Sequence, residues 1–324
     1  MWRRIQKIQM KQKIQRIPSI SSESFASSES SQVCRLPILQ YHHLMVKVLL
    51  FGSRGYLGGQ FLSLFPDAVC PAADIADSVA VAKALDAEKP DVVINAAGKT
   101  GRPNVDWCED HKLETIRSNV TGPLVLLEEC GKRGMYWVHM GSGCIYQGDK
   151  GGRGFDEEDS PNFSGSFYSR TKAWSDRMLR EFPVLQLRIR MPFDGSTEPR
   201  NLLMKLRGYS RVLDVQNSIT YLPDFLKAAA VLIEKRATGL YNVVNSGSFS
   251  PFQLMEAYRD TVDPAHTFER LALDDLSDVV TAGRSNCILS IDKLRREGIE
   301  LQHISEAADQ AMRLLKENLR TMKS

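Results

Sequence analysis

From Val46 onward, short apolar runs alternate with longer stretches in which apolar residues recur every three or four positions. Residues 46–52, "VKVLLFG", are apolar on both faces and end in glycine, the signature of a strand buried on both sides. Helical spacing follows at 56–65. Residues 68–74, "AVCPAAD", read as a weak second strand. Residues 78–90 read as a helix stopped by Pro90, and 91–98, "DVVINAAG", as a clear strand. One long helix is expected over 112–134, ending at Gly134 and bending near Pro123. A strand at 135–142, a helix at 166–182 and a strand at 184–191 continue the alternation. That order predicts an α/β fold with a doubly wound parallel sheet. Beyond residue 192 the texture is less regular. A short strand at 239–244 and helices near 222–235, 251–260 and 304–320 suit a smaller, mixed C-terminal substrate-binding region. The expected organisation is a nucleotide-binding domain over 45–192 and a substrate region over 193–324, partly interleaved with it.

Residues 1–44 follow another pattern. "MWRRIQKIQMKQKIQRI" mixes isoleucine with basic residues and no acid, and "SISSESFASSESS" follows. Basic, amphipathic and then serine-rich is the profile of an organelle transit peptide, diluted by Glu23 and Glu29. The alternative is a disordered leader on a cytoplasmic protein. The full chain has 324 residues, 43% hydrophobic and 25% charged, with a net charge of +3. This is ordinary globular composition, and no basic face speaks for nucleic acid. No apolar run approaches the ~18 residues of a membrane span. The six cysteines are scattered, without a CxxC pair or a zinc-like Cys/His cluster, so a reduced intracellular protein without a metal site is expected.

Gly52-Ser-Arg-Gly55-Tyr-Leu-Gly58 follows the first strand and opens the first helix. Glycines there let the chain turn tightly and let a pyrophosphate approach the helix N-terminus. Gly52, Arg54, Gly55, Tyr56, Leu57 and Gly58 are therefore candidate dinucleotide-binding residues of a Rossmann-type domain. Asn95, Ala96, Ala97 and Gly98 close a later strand with small residues that admit a cofactor. Both features resemble the extended short-chain dehydrogenase/reductase superfamily. Asp74, 22 residues beyond Gly52, stands near where an acid would bind the adenine ribose of NAD. Arg54 stands where a cation would hold a 2′-phosphate, and Asp74 with Ile75 then lies against the adenine edge. NADPH is preferred, with NADH left open.

Tyr168 and Lys172 form a Y-x-x-x-K pair, one helical turn apart and so on one face. A tyrosine with a pKa of about 10 is a poor acid–base group at neutral pH, and a neighbouring cation favours its phenolate. In the order this superfamily uses, Ser142 supplies the third catalytic hydroxyl. His139 reads as a satisfied core histidine, and Cys144 and Tyr146 as packing residues.

The words between these landmarks are more specific. "NAAGKTGRPNVDWCEDHKLETIRSNVTG", "GFDEEDSPNFSGSFYSRTKA", "RIRMP" and "PRN" closely resemble the nucleotide-rhamnose synthase epimerase/reductases, which act on nucleotide-4-keto-6-deoxyglucose. The resemblance runs from about Met45 to the C-terminus. A more distant one is to the bacterial dTDP-4-dehydrorhamnose reductases. Where the close family has Gly-Lys-Thr-Gly, this chain has Gly52-Ser-Arg-Gly55, and the family often has an arginine near Asp74.

The resemblance implies reduction at C4 and epimerisation at C3 and C5. A C4 ketone acidifies the protons on both neighbouring carbons. Inverting those carbons takes a base on one face and an acid on the other, whereas reduction alone needs only the proton from Tyr168. Cys108, in the polar loop "GRPNVDWCED", is the expected extra proton-transfer group, with Lys172 and Tyr168 as the other. The plainer alternative is that Cys108 and Trp107 pack beneath the loop. Asn119 is expected to shape the site through a backbone hydrogen bond. Asn104, Ser142, Arg200, Asn201 and Arg284 are candidate contacts to a UDP- or dTDP-linked sugar. Rival readings are a reductase without epimerase activity, and a non-catalytic NADP-binding subunit like the methionine adenosyltransferase β subunit. A homodimer is open.

Overall fold

A computed structural model describes residues 46–322 of the chain. The leader lies outside the described residues. Val48–Phe51 forms β1, Val92–Asn95 β2, Trp137–Ser142 β3, Leu185–Ile189 β4 and Gly239–Asn242 β6. They make one parallel sheet in the order β1-β2-β3-β4-β6. The fifth strand thus comes from beyond residue 192.

β1 shows why these strands are apolar throughout. Val48 and Leu50 join the core on one face, and Leu49 and Phe51 join that on the other. Successive side chains of a strand point to opposite faces, so a sheet covered on both sides has no polar row. The covering helices are α1 (Tyr56–Leu64), α2 (Ser78–Glu88), α5 (Gly122–Lys132), α6 (Phe167–Leu179) and α8 (Leu222–Glu234). α2 begins where the Asp77 side chain accepts the N–H groups of Val79 and Ala80.

Residues 68–74 are less of a strand than expected. They contribute one parallel bridge, Val69 to Leu49, and Pro71 then ends the ladder because it has no N–H. That bridge still fixes the topology. The chain leaves β1 to residue 69 on one side and returns to β2 on the other, so the winding reverses between β1 and β2. In open α/β sheets ligands bind at the carboxyl ends of the strands flanking such a reversal.

The helix expected over 112–134 is broken. After the short α3 (Trp107–Asp110) come α4 (Lys112–Ile116), a π-helical segment at Arg117–Thr121, and α5, with Pro123 in its first turn. In the C-terminal part, α7 (Leu202–Leu206), α9 (Pro251–Thr261) and α11 (Ile304–Thr321) surround a second core containing Phe193, Tyr258 and Met312. α11 buries Ile304, Ala307, Ala308, Ala311, Met312 and Leu315, the stripe of an amphipathic helix. A two-stranded parallel ladder, β5 (Arg211–Leu213) with β7 (Glu269–Leu271), and the short α10 (Asp292–Arg296) complete it. Among the described residues no helix is long and apolar enough to cross a membrane.

Candidate active site

Parallel register brings the strand ends together: Phe51 pairs with Asn95, Asn95 with His139 and Ser142 with Ile189. The glycine loop leaves β1 with Gly52 at φ +81°. A Cβ there would stand 2.3 Å from the backbone N of Ala97, and one on Gly58 2.1 Å from the carbonyl O of Gly52. Only glycine allows the loop to lie this close to the end of β2. Gly55 caps α1 with no side-chain cap bond, so first-turn N–H groups stay available to an anion. Arg54 is exposed and forms no ion pair among the described residues. These features fit a dinucleotide pyrophosphate with a cation beside it. Tyr56 and Leu57 pack back against the core. Ile75 is buried against Gly122. Asp74 stays at the surface, where the Ala76 N–H and then Arg117 hold its carboxyl below the usual range.

At the end of β2, Asn95 is buried, and its Oδ1 accepts the N–H of Ala97 at 3.0 Å. Ala96 and Ala97 pack into the two sheet cores, and Gly98 faces Asn119. Asn119, on the π-helical segment, clamps the next residue. Its Oδ1 accepts from Lys99 N (2.7 Å), and its Nδ2 donates to Lys99 O (2.9 Å) and Thr171 Oγ1 (3.2 Å). The break in the helix is what aims this amide at the loop.

The loop carrying Cys108 docks on the start of α6. Glu109 accepts the backbone N–H of Phe167 and pairs with Arg170. Cys108 is fully buried, and that burial pushes its thiol pKa up, with Thr115 opposing and Glu109 reinforcing the shift. Tyr168 is half-buried. Burial raises its phenol pKa, Cys144 and Cys108 add to the rise, and Ser142 and Arg190 oppose it. Of these groups, Ser142 acts on the Tyr168 hydroxyl by a hydrogen bond and the others through charge. Lys172 turns the other way. Its Nζ donates to Met140 O at 2.7 Å and lies 3.4 Å from Nε2 of His139. Burial pushes its pKa down to about 8, against Asp176 and Cys144. Arg190 is a cation that opposes the rise at the phenol.

Arg190 and Cys144 were not singled out as chemistry in the sequence. Arg190 is buried without an ion pair among the described residues. Its guanidinium donates to Cys144 Sγ (3.1 Å), to Asn217 Oδ1 and to the carbonyl of Ser285. The Cys144 N–H in turn donates to Ser142 Oγ at 3.2 Å. The signal available was Cys144 standing two residues after Ser142.

Four expected substrate contacts have partners within the protein. Arg284 makes a two-pronged pair with Asp106 (2.7 and 3.0 Å), tying residues 282–284 to the loop of Cys108. Asn201 is buried as the cap of α7 and donates to Asp194 and Ser196. Arg200 pairs with Glu198 and donates to the carbonyl of Arg54 at 2.8 Å, clasping the glycine loop. Asn104 accepts the N–H of Asp106 within its own loop.

A doubly wound parallel sheet, a glycine loop at the reversal point and a Ser–Tyr–Lys set at the strand ends define the short-chain dehydrogenase/reductase class of fold. Residues 46–316 match the family described as RmlD substrate binding domain, and the chain belongs to that family. It is 40% identical over 275 residues to the bifunctional dTDP-4-dehydrorhamnose 3,5-epimerase/dTDP-4-dehydrorhamnose reductase of Arabidopsis thaliana, covering 80% of this chain and 90% of that one. It is 37% identical over 278 residues to a trifunctional UDP-glucose 4,6-dehydratase/UDP-4-keto-6-deoxy-D-glucose 3,5-epimerase/UDP-4-keto-L-rhamnose-reductase of the same plant, covering 81% of this chain but 41% of that longer protein. Among solved structures, the L780 UDP-rhamnose synthase of Acanthamoeba polyphaga mimivirus superposes with a TM-score of 0.78 at 30% identity, over 83% of this chain and 99% of that one.

Proposed function

We propose that this chain reduces a nucleotide-linked 4-keto-6-deoxyhexose at C4 with NADPH and also inverts C3 and C5, giving a nucleotide-L-rhamnose. The observation that carries the reading is the chain of contacts at the end of β3, with Arg190 on the Cys144 sulfur and the Cys144 N–H on Ser142, beside the glycine loop and the Tyr168–Lys172 pair of α6. The relatives named above, one a dTDP- and others UDP-sugar enzymes, support it.

Gly52, Gly55, Gly58 and the first turn of α1 would hold the NADPH pyrophosphate, and Arg54 the 2′-phosphate; when bound, NADPH supplies the hydride to C4. Tyr168 gives its proton to the C4 oxygen, and a phenol whose pKa is raised holds that proton until the oxygen demands it. Ser142 orients the same oxygen. For epimerisation the sulfur of Cys144, half-buried and held by Arg190, exchanges a proton at a carbon beside the ketone. Cys108 is fully buried and held as a thiol.

The test is incubation with UDP- and dTDP-4-keto-6-deoxyglucose plus NADPH or NADH in heavy water. NMR then reads product configuration and deuterium at C3 and C5. An L-rhamnose product deuterated at both carbons is expected. Reduction without exchange would leave a reductase alone, and turnover of neither sugar would favour a binding subunit.

A further inference from the structure

His139 lies inside β3 with 1% of its surface exposed, yet both ring nitrogens face polar side chains. Nδ1 is 3.2 Å from Nδ2 of Asn95, and Nε2 is 3.4 Å from Nζ of Lys172. The Asn95 amide cannot be turned over, because its Oδ1 accepts the backbone N–H of Ala97 and an N–H never accepts. Asn95 Nδ2 is therefore the donor, and Nδ1 of His139 is bare. An imidazolium would carry protons on both nitrogens, and burial drives its pKa far below the usual histidine value. A neutral ring with a bare Nδ1 carries its proton on Nε2. That N–H points at Lys172. An ammonium cannot accept it; an amine can.

We propose that His139 is a positioning residue for the reduction, its Nε2–H donating to the Lys172 nitrogen and holding that side chain as an amine whose lone pair faces β3. The proposal rests on the reading of Tyr168 and Lys172 as the reductase pair. An amine has two N–H groups. One goes to Met140 O, which leaves one for the side of the site where cofactor and Tyr168 lie. Among the described residues, the titratable groups acting on Lys172 from elsewhere are Asp176 on its own helix and Cys144 after β3, and both favour the ammonium. His139 works with burial in the other direction, so it helps set the pH at which the site changes between the two forms.

The tautomer is tested directly on the full chain carrying ¹⁵N-labelled histidine. NMR should show His139 with a bare Nδ1 and a protonated Nε2 from about pH 6 to 9, across the range in which an ordinary histidine loses its charge. A proton on Nδ1, or a titrating ring, overturns the proposal. Two variants test the consequence: His139→Met removes the donor, and His139→Gln keeps an N–H of similar reach. In the pH profile for reducing an already epimerised UDP-4-keto sugar, Met should move the Lys172 limb up by at least about half a unit, roughly a threefold change in the proton equilibrium. Gln should restore it. An unmoved limb in the Met variant, or equal shifts in both, overturns the proposal. Failure of the wild type to reduce any 4-keto sugar would sink the functional reading, while the NMR arm would still decide the tautomer.

Discussion

The loop after β2 and the loop after β3 each carry a cysteine, and they bury it differently. In the first, a polar stretch hides its cysteine. Glu109 docks the loop on α6, Arg284 grips Asp106, and Cys108 ends fully buried with its thiol pKa raised. In the second, "GSGCIY" buries Ile145 and Tyr146 completely but leaves Cys144 half-exposed, its sulfur on Arg190. Polarity along the chain therefore says little about which thiol meets a ligand. A loop's polar groups can be satisfied by other parts of the protein, and what they enclose is then excluded from water.

The sharpest break of this comparison is a pair of serine variants. Cys144→Ser should lower deuterium exchange at C3 or C5 about 10²–10⁴-fold, the usual contribution of an acid–base group. It should still reduce an epimerised substrate. Cys108→Ser should lose under about tenfold, within the 1.4 kcal/mol that tenfold represents. The reverse ranking would return the role to Cys108. Next comes Tyr168→Phe, expected to lose reduction by about 10²–10⁴ while exchange persists. Loss of both activities together would mean that the phenol also serves the epimerisation.

Lys172 separates the site through stability. Its folded pKa of about 8 lies below the ordinary 10.5, so a buried ammonium costs stability below pH 8. Between about 8 and 10.5 the unfolded chain binds more protons, and wild-type stability rises with pH. Lys172→Met lacks this dependence. Its advantage in chemical denaturation should be largest below pH 8, at most about 3 kcal/mol, and should shrink toward pH 10.5. A constant difference across that range would mean the amine is not shifted.

Arg190→Met should slow exchange and reduction by roughly ten- to hundredfold, since one hydrogen bond from a charged group is worth about 1.5–3 kcal/mol. Arg190→Lys should recover part of it. Full activity in the Met variant would leave Cys144 without its cation and undo the contrast between the loops. The narrowest effect is that of Arg54→Ala. It should raise KM for NADPH about tenfold or more, the low end of that same range, and leave KM for NADH nearly unchanged. Equal changes in both would assign Arg54 to the shape of the loop.

The main strands and helices around the sheet were readable because each is a local pattern. β1 through β4 are short apolar runs, and α2 carries its own cap in Asp77. The break at Arg117–Thr121 was not readable, since what fills it is the bond of Asn119 to Lys99, 20 positions away. The ladder of β5 with β7 was missed for the same reason: neither three-residue strand has a pattern of its own.

The amino-acid order alone determined the α/β alternation, the glycine loop, the Tyr168–Lys172 spacing and the likeness to the epimerase/reductases. Periodicity, glycine at tight turns and neighbours on one helix face all act within a few residues. Where Lys172 turns, which cysteine stays open and which arginines are already engaged were decided only in three dimensions. Arg284 reaches Asp106 across 178 positions, Arg190 reaches Cys144 across 46, and Lys172 turns to His139 across 33. Burial then decides what each charge is worth, because an ionised group removed from water is governed by the partners the fold supplies.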